Sequence, residues 1–285
     1  MKLEDISKIA VIGAGTMGQG IAQICAMAGY EVVIYDLSEQ TLVTAEANIS
    51  TNLDKGIERG KVTQAEKIAS LERITFSGDE RSLVADVIIE AIIENLDVKK
   101  ALFANLEAIN SETTILASNT SSIPITRIAA GLKYPERFVG MHFFNPAHIM
   151  KLVEVISGVA TDDSVANTIA DLARKLGKTP VMAADAPGFI VNRVARHFYV
   201  EGLKVLEEGV SDVNGIDRLM ESSGFRMGPF RLMDLIGVDT NYSVTESMFN
   251  AFHQEAKFRP SRIQQQKVDA GHHGRKSGKG FYNYD

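Results

Sequence analysis

The stretch Lys8-Ile9-Ala10-Val11-Ile12-Gly13-Ala14-Gly15-Thr16-Met17-Gly18 decides the fold. Its first five residues form a short apolar run that ends in glycine, the pattern of a parallel strand buried on both faces. Three glycines at G-x-G-x-x-G spacing follow. Gly13 allows a tight turn out of the strand, Gly15 lets a backbone approach a pyrophosphate, and Gly18 permits close packing of helix on strand. An apolar helical stretch from 19 to about 28 comes next, Gly29 closes it, and 31–36 reads as a second strand. A helix that opens on such a turn aims free N–H groups and the positive end of its dipole at phosphate. Gly13, Gly15, Thr16, Met17 and Gly18 are therefore the expected cofactor contacts. Asp36, at the end of the second strand, is placed to accept the adenosine ribose hydroxyls and to repel a 2′-phosphate. Leu37, Ser38 and Glu39 follow it with no arginine, so NAD is expected rather than NADP.

Outward from this unit, the segment from 38 to about 71 is polar and helical. Strands are expected at 74–76, 84–90, 113–117 and 137–144, separated by helices at about 98–109 and 125–132. A strand at 152–156, a helix at 164–176 and a short strand at 179–183 complete the pattern. Strands alternating with helices indicate an α/β fold, a Rossmann-type doubly wound and mainly parallel sheet. After Asp185-Ala186-Pro187-Gly188 the chain turns helical almost throughout. The expected division is an NAD-binding domain over 1–185 and a smaller all-helical domain for substrate and dimerisation over 186–285.

Hydrophobic residues make up 45% of the 285 and charged residues 23%, as in ordinary globular proteins. The formal net charge of -6 offers no general affinity for nucleic acid or anionic membranes. The single cysteine, Cys25, cannot form an internal disulfide and suits a reducing compartment. It falls in the first apolar helix and reads as a small buried hydrophobe. The start, Met1-Lys2-Leu3-Glu4-Asp5, has neither the basic-then-apolar order of a secretory signal nor the character of a transit peptide. No apolar stretch approaches the ~20 residues that span a bilayer. A cytoplasmic protein is expected, without a metal.

Five further segments carry a family resemblance: Glu90-Ala91-Ile92-Ile93-Glu94-Asn95-Leu96, Ser118-Asn119-Thr120-Ser121-Ser122, His142-Phe143-Phe144-Asn145-Pro146, Pro187-Gly188-Phe189-Ile190-Val191-Asn192-Arg193, and Gly228-Pro229-Phe230-Arg231-Leu232-Met233-Asp234. In this order, and with the end Gly274-Arg275-Lys276-Ser277-Gly278-Lys279-Gly280-Phe281-Tyr282, the chain resembles the short-chain L-3-hydroxyacyl-CoA dehydrogenases, in particular the bacterial 3-hydroxybutyryl-CoA type. The resemblance implies NAD-dependent oxidation of a 3-hydroxyacyl-CoA, and the reverse reaction, in a homodimer. It makes His142 the catalytic base and Glu154 its carboxylate partner. Both lie on strands flanking the Asn145-Pro146 turn, so a fold-back can bring them together. Histidine titrates near neutral pH and can take the hydroxyl proton, while a carboxylate fixes its tautomer. Ser118 and Asn192 match the family's substrate-positioning residues. Glu94, Lys99, Ser118, Asn145 and Lys276 match its cofactor contacts. Asn52, Lys55 and Arg59 are the nearest matches to its coenzyme A contacts.

One departure stands out. Many short-chain relatives have glutamate where this chain has Arg231, and Arg196, His197, Arg226 and Arg259 add positive charge nearby. Such charge suits an acyl chain ending in a carboxylate, such as 3-hydroxyadipyl-CoA, or it pairs with surface acids. A dehydrogenase of free hydroxy acids and a crystallin-like NAD-binding structural protein are the rival readings from other classes.

Overall fold

Ile9, Val11 and Ile12 are β-branched and almost wholly buried, which suits them to the pleated centre of a sheet. In the computed structural model, which describes residues 1–284, they lie on β1 (Lys8–Ile12). The chain divides into two compact units, Met1–Ala186 and Pro187–Asp285.

The first unit is built on a sheet of β1 with β2 (Glu31–Tyr35), β3 (Ile74–Ser77), β4 (Val87–Glu90), β5 (Ile115–Ser118), β6 (Phe138–Phe143), β7 (Leu152–Ser157) and β8 (Thr179–Ala184). Their order is β3-β2-β1-β4-β5-β6-β7-β8, the doubly wound arrangement expected. Every neighbouring pair is parallel except β6 and β7, which run antiparallel. Helices α1 (Thr16–Met27), α2 (Glu39–Glu58), α3 (Gln64–Glu72), α4 (Leu96–Ile109), α5 (Ile125–Ala129) and α6 (Asp163–Lys175) connect the strands. The main core joins Val11, Ile34, Val87 and Val139 of the sheet to Ile21 and Cys25 of α1, and to Ile169 and Leu172 of α6. Burial pushes the Cys25 thiol up to about 12, so it stays protonated and behaves as the small hydrophobe expected.

Two local features have plain causes. The polar helical stretch after Asp36 divides into two helices, because Gly60 takes a positive φ of 65° and Thr63 starts a new helix. Thr63 Oγ1 accepts the Glu66 N–H while Glu66 accepts the Thr63 N–H, a reciprocal cap. Strand β4 begins at Val87 rather than near 84. Just before it, the Asp86 carboxylate accepts the backbone N–H groups of Ser7 and Lys8 and so ties down the entry to β1.

The second unit is helical, with α7 (Val191–Glu207), α8 (Val213–Ser222), α9 (Pro229–Ile236), α10 (Val238–Ala251) and α11 (Arg262–Asp269). Tyr199, Leu203, Ile216, Phe230 and Met233 form its small core. Two buried aspartates organise it. Asp217 accepts the N–H groups of Phe230 and Arg231 at the start of α9, together with the Tyr282 hydroxyl. Asp234 accepts the N–H groups of Phe281 and Tyr282 and the Tyr284 hydroxyl, which holds the last residues described against α9. Among the described residues no helix is long and apolar enough to cross a membrane.

In the first unit, Asp185 closes β8 by capping α5, its oxygens accepting the N–H groups of Ile125 and Thr126 at 2.9 and 2.8 Å. Asp185→Ala should cost about 1 kcal/mol, the usual worth of such a cap. Urea denaturation reads it, and an unchanged midpoint would show that the cap contributes nothing.

Candidate active site

The glycine turn joins β1 to α1. Gly13 has φ +98°, and a Cβ there would lie 2.6 Å from the Ala91 carbonyl oxygen. A Cβ on Gly18 would lie 1.7 Å from the Gly13 carbonyl oxygen. These two glycines are therefore demanded by the protein itself. Gly15 is different, since a Cβ there would meet nothing within 4 Å. The chain itself therefore leaves room for a side chain at this position. Gly15 is also the N-cap of α1, where no side chain bonds the first-turn N–H groups and no acid lies in that turn. Thr16 and Met17 supply the first two of those groups.

Asp36 follows β2. Its Oδ2 accepts the Ala14 N–H at 2.9 Å and its Oδ1 the Ser38 N–H at 3.0 Å. Each carboxylate oxygen retains a lone pair, so two further hydroxyls can be accepted. A cavity of about 660 Å³ lies alongside, with Gly13, Gly15 and Asp36 on one side and Ile92, Val98, Ala101 and Leu102 on another. An apolar slot with a fixed carboxylate at its rim, next to an uncapped helix start, fits an adenosine joined to a pyrophosphate. These residues suit the adenosine half of NAD.

Further along the same sheet edge is a buried charge cluster. Lys99 on α4 is only 1% exposed, and its ammonium pairs with Glu90 and, at 3.3 Å, with Glu94. Glu90 ends β4 and is wholly buried. It accepts the Ser118 hydroxyl at 2.6 Å and the Ile92 N–H at 2.8 Å. Glu94 accepts the Thr120 hydroxyl at 2.6 Å and the Ser121 N–H at 3.0 Å. Burial pushes Glu94 up, but Lys99 and the Thr120, Ser121 and Ser122 donors outweigh it and hold the carboxyl below its usual range. Lys99 thus neutralises two carboxylates, one of which orients Ser118.

Strands β6 and β7 bring the expected pair together. His142 and Glu154 sit directly opposite in the antiparallel register, so their side chains share one face. The His142 Nδ1 lies 2.8 Å from Glu154 Oε2, and Glu154 is 1% exposed. The loop between these strands holds a cis Asn145–Pro146 bond. It is anchored by Lys178, whose ammonium donates to the Ala147 and Met150 carbonyls at 2.5 and 2.8 Å. Asn119 fixes the end of β6 by accepting the Phe143 N–H at 2.8 Å.

The remaining expected residues fall in several places. Asn145 lies exposed on the loop after β6. Asn52 and Lys55 follow one another at helical spacing on α2 and Arg59 is its C-cap residue, while the same helix carries Asn48, bonded to Gln19 of α1 at 3.1 Å. Lys55 adds to the positive charge that, after burial, lowers the pKa of His148 on the loop between β6 and β7. Asn192 opens α7 in the second unit. Lys276, also in that unit, donates to Asp239 at 2.7 Å. Of the two readings of the charge around Arg231, the structure supports pairing with acids. Arg231 faces Glu221 at 3.6 Å and Asp217 at 3.8 Å and lies over the Tyr282 ring, so its charge is answered locally. His197, Arg226 and Arg259 are exposed, and of this group Arg196 alone is buried.

Sequence reading passed over Glu90 and Asn119. Glu90 had a signal, a lone acid at the end of an apolar strand, as Glu154 is on β7, whereas Glu154 itself was named by the resemblance. Asn119 had none, because its job is to hold a neighbouring strand.

A family model described as "3-hydroxyacyl-CoA dehydrogenase, NAD binding domain" matches residues 8–186, and one described as "3-hydroxyacyl-CoA dehydrogenase, C-terminal domain" matches 188–284. The chain is 48% identical over 282 residues to the 3-hydroxyadipyl-CoA dehydrogenase of Escherichia coli. That match covers 98% of this chain but 59% of the relative, so the chain spans little more than half of that protein. It is 41% identical over 281 residues to the 3-hydroxybutyryl-CoA dehydrogenase of Bradyrhizobium diazoefficiens, covering 98% of this chain and 96% of the other. The crystal structure of an (S)-3-hydroxybutyryl-CoA dehydrogenase from Ralstonia eutropha matches with a TM-score of 0.94 at 40% identity, over 98% of this chain and 99% of that one.

The glycine geometry separates two roles. Gly18→Ala should destabilise the fold by about 1–3 kcal/mol through overpacking. Gly15→Ala should leave the urea midpoint in place and weaken NAD binding roughly tenfold or more by calorimetry. Equal losses of stability in the two variants would show that Gly15 serves the fold instead.

Proposed function

The chain belongs to the 3-hydroxyacyl-CoA dehydrogenase family, and on that premise we propose that it oxidises a short L-3-hydroxyacyl-CoA to the 3-oxoacyl-CoA, and runs the reverse, with NAD as cofactor. The observation that carries the reading is the His142–Glu154 pair, a buried imidazole held by a buried carboxylate at the end of an NAD-binding sheet. When bound, NAD supplies the acceptor for the hydride that leaves C3.

The protein's own residues then handle the proton. Glu154 takes the N–H at Nδ1 of His142, which assigns proton exchange with the C3 oxygen to Nε2. As the hydroxyl proton leaves the substrate, the buried carboxylate stabilises the imidazolium that forms. In the reverse direction the imidazolium returns the proton to the 3-oxo oxygen. Ser118, whose hydroxyl donates to Glu90 and accepts the Thr120 N–H, is assigned to the substrate by the family pattern. Asn192, in the second unit, is assigned to the substrate by the family pattern. The same holds for the cofactor contacts of Glu94, Lys99, Asn145 and Lys276. The set of Asn52, Lys55 and Arg59 offers cationic partners for the phosphates of coenzyme A.

The relatives' names divide between a four-carbon and a six-carbon dicarboxylic acyl group, and 3-hydroxybutyryl-CoA is the simplest substrate consistent with the family. The proposal includes a homodimer formed through the second unit. There Val194 and Leu219 are 69% and 68% exposed, and Phe225, half exposed, stacks on Phe198 at 4.9 Å. Apolar side chains so open are usually covered by a partner. A cytoplasmic location completes the reading and suits the lone thiol.

Acetoacetyl-CoA with NADH, followed by absorbance, tests the reaction, and absence of turnover would overturn the proposal. In the same assay His142→Ala should lower kcat by about 10²–10⁴-fold while NAD affinity holds. Near-normal turnover would remove His142 from its role. Light scattering should give about twice the 31.1 kDa chain mass, and a mass near one chain would dismiss the dimer.

A further inference from the structure

His148 lies on the loop between β6 and β7, and the packing of that loop fixes its surroundings. The Ile149 and Met150 N–H groups both donate to the Pro146 carbonyl at 2.9 Å, and buried Lys178 holds the Ala147 and Met150 carbonyls. This tight turn rests on α1 at Gly20, where a Cβ would lie 3.0 Å from the Ala147 Cβ and 3.3 Å from the His148 nitrogen. The residue before it, Gln19, meets Asn48 of α2 at 3.1 Å. Asn48, Asn52 and Lys55 recur at helical spacing, so one face of α2 runs from the Gln19 contact to Lys55. The loop, α1 and α2 therefore meet at one place within the first unit, and Lys55 comes into electrostatic reach of His148.

Both side chains are unanswered. Among the described residues neither has a hydrogen-bond or ion-pair partner, and the acid next to Lys55, Asp54, is taken by Lys67 of α3 at 2.6 Å. His148 is half-buried, and the charges that act on it are both positive, Lys55 of α2 and Lys178 just before β8. From α1 come only Gln19 and Gly20, which carry no charge. Burial first, and then the two cations, hold the imidazole below its usual pKa, so it stands neutral at neutral pH in the free protein. An anion arriving beside Lys55 reverses the effect of charge. It pairs with the ammonium and draws a proton onto the ring, which becomes a second cationic donor. Lys178 is different, because its ammonium is spent on the loop carbonyls.

We propose that His148 and Lys55 together bind a phosphate of the coenzyme A moiety, so that the thioester is taken up with a proton. In the functional reading above, on which this inference rests, α2 carries the coenzyme A contacts. His148 extends them to a second element and makes them depend on pH. The proton passes from solvent to the imidazole as the phosphate binds, and no covalent bond of the thioester changes. Binding raises the pKa of His148, so affinity is full where the bound ring is protonated and falls as pH rises through the pKa of the complex.

The test follows NADH consumption by the full chain and reads kcat and KM at about pH 6 and about pH 8.5, either side of the histidine range. The substrates are acetoacetyl-CoA and acetoacetyl-pantetheine, which ends before the phosphates. His148→Gln, which keeps a neutral donor, should raise the KM for acetoacetyl-CoA on the order of tenfold at the lower pH, the worth of one unit of pKa shift. At the higher pH its KM should match the wild type, and kcat should follow the wild type throughout. Taking the ratio of the two proteins removes the titration of His142 and of the phosphates, which both share. Lys55→Met, on an exposed helix face, should raise the same KM several-fold at both pH values, and it decides the matter if His148→Gln does not fold. Neither substitution should move the KM for acetoacetyl-pantetheine, or that for NADH, the other source of a pyrophosphate. A KM ratio of one at the lower pH, or a loss shared by acetoacetyl-pantetheine or NADH, would overturn the phosphate site while the dehydrogenase reading stands. Failure of the wild type to reduce either thioester would overturn both.

Discussion

The site of the first unit depends on strands that run in one direction. Because β2, β1, β4 and β5 are parallel and in register, Ile12 lies beside both Tyr35 and Glu90, and Glu90 beside Ser118. The residues that end these strands or follow them must then form a row along one edge of the sheet. Asp36, the Gly13 turn, Glu90 and Ser118 make up that row, and β6 adds His142 two residues past the partner of Ser118. Helix starts gather at the same edge, since each connection leaves a strand there, and they bring their unpaired N–H groups with them.

One reversal in this arrangement is as important as the rule. Strand β7 runs against β6, which is what lets a short loop return the chain and set Glu154 directly across from His142. A slip of one residue would turn Glu154 to the opposite face of the sheet. The register is protected by apolar neighbours, Met141, Phe143, Val153 and Val155, all of them buried. The acid–base pair is thus a by-product of core packing as much as of its own hydrogen bond. Buried cations of this unit are held in two ways, Lys99 by the carboxylate of Glu90 and Lys178 by backbone carbonyls of the loop after β6.

Much of this was legible in the sequence, and the limits have physical reasons. The strand from Lys8 to Ile12, the glycine spacing and Asp36 are local signals whose chemistry does not depend on distant residues, and the sheet followed from the alternation of strands and helices. Glu154, an acid on an otherwise apolar strand, was legible through the resemblance that paired it with His142. Glu90 carried the same mark, but its partners Lys99 and Ser118 lie 9 and 28 positions away, and only the pairing of β4 with β5 shows their proximity. Arg231 left two readings open for the opposite reason. Its charge was visible in sequence, while the acids that answer it, Asp217 and Glu221, sit on a preceding helix whose packing no spacing rule reveals. The division of the polar helical stretch into α2 and α3 is written in Gly60 and the Thr63–Glu66 pair.

The burial of Cys25 has a use of its own. A protonated thiol sealed between α1 and the sheet cannot react with an alkylating reagent until that helix lifts away. As the chain has no second thiol, the speed of labelling is a clock for opening of the nucleotide-binding core. Any ligand that clasps the turn at the head of the same helix must slow that clock, so occupancy of a site at one end of α1 becomes countable, without catalysis, through a sulfur atom inside its middle.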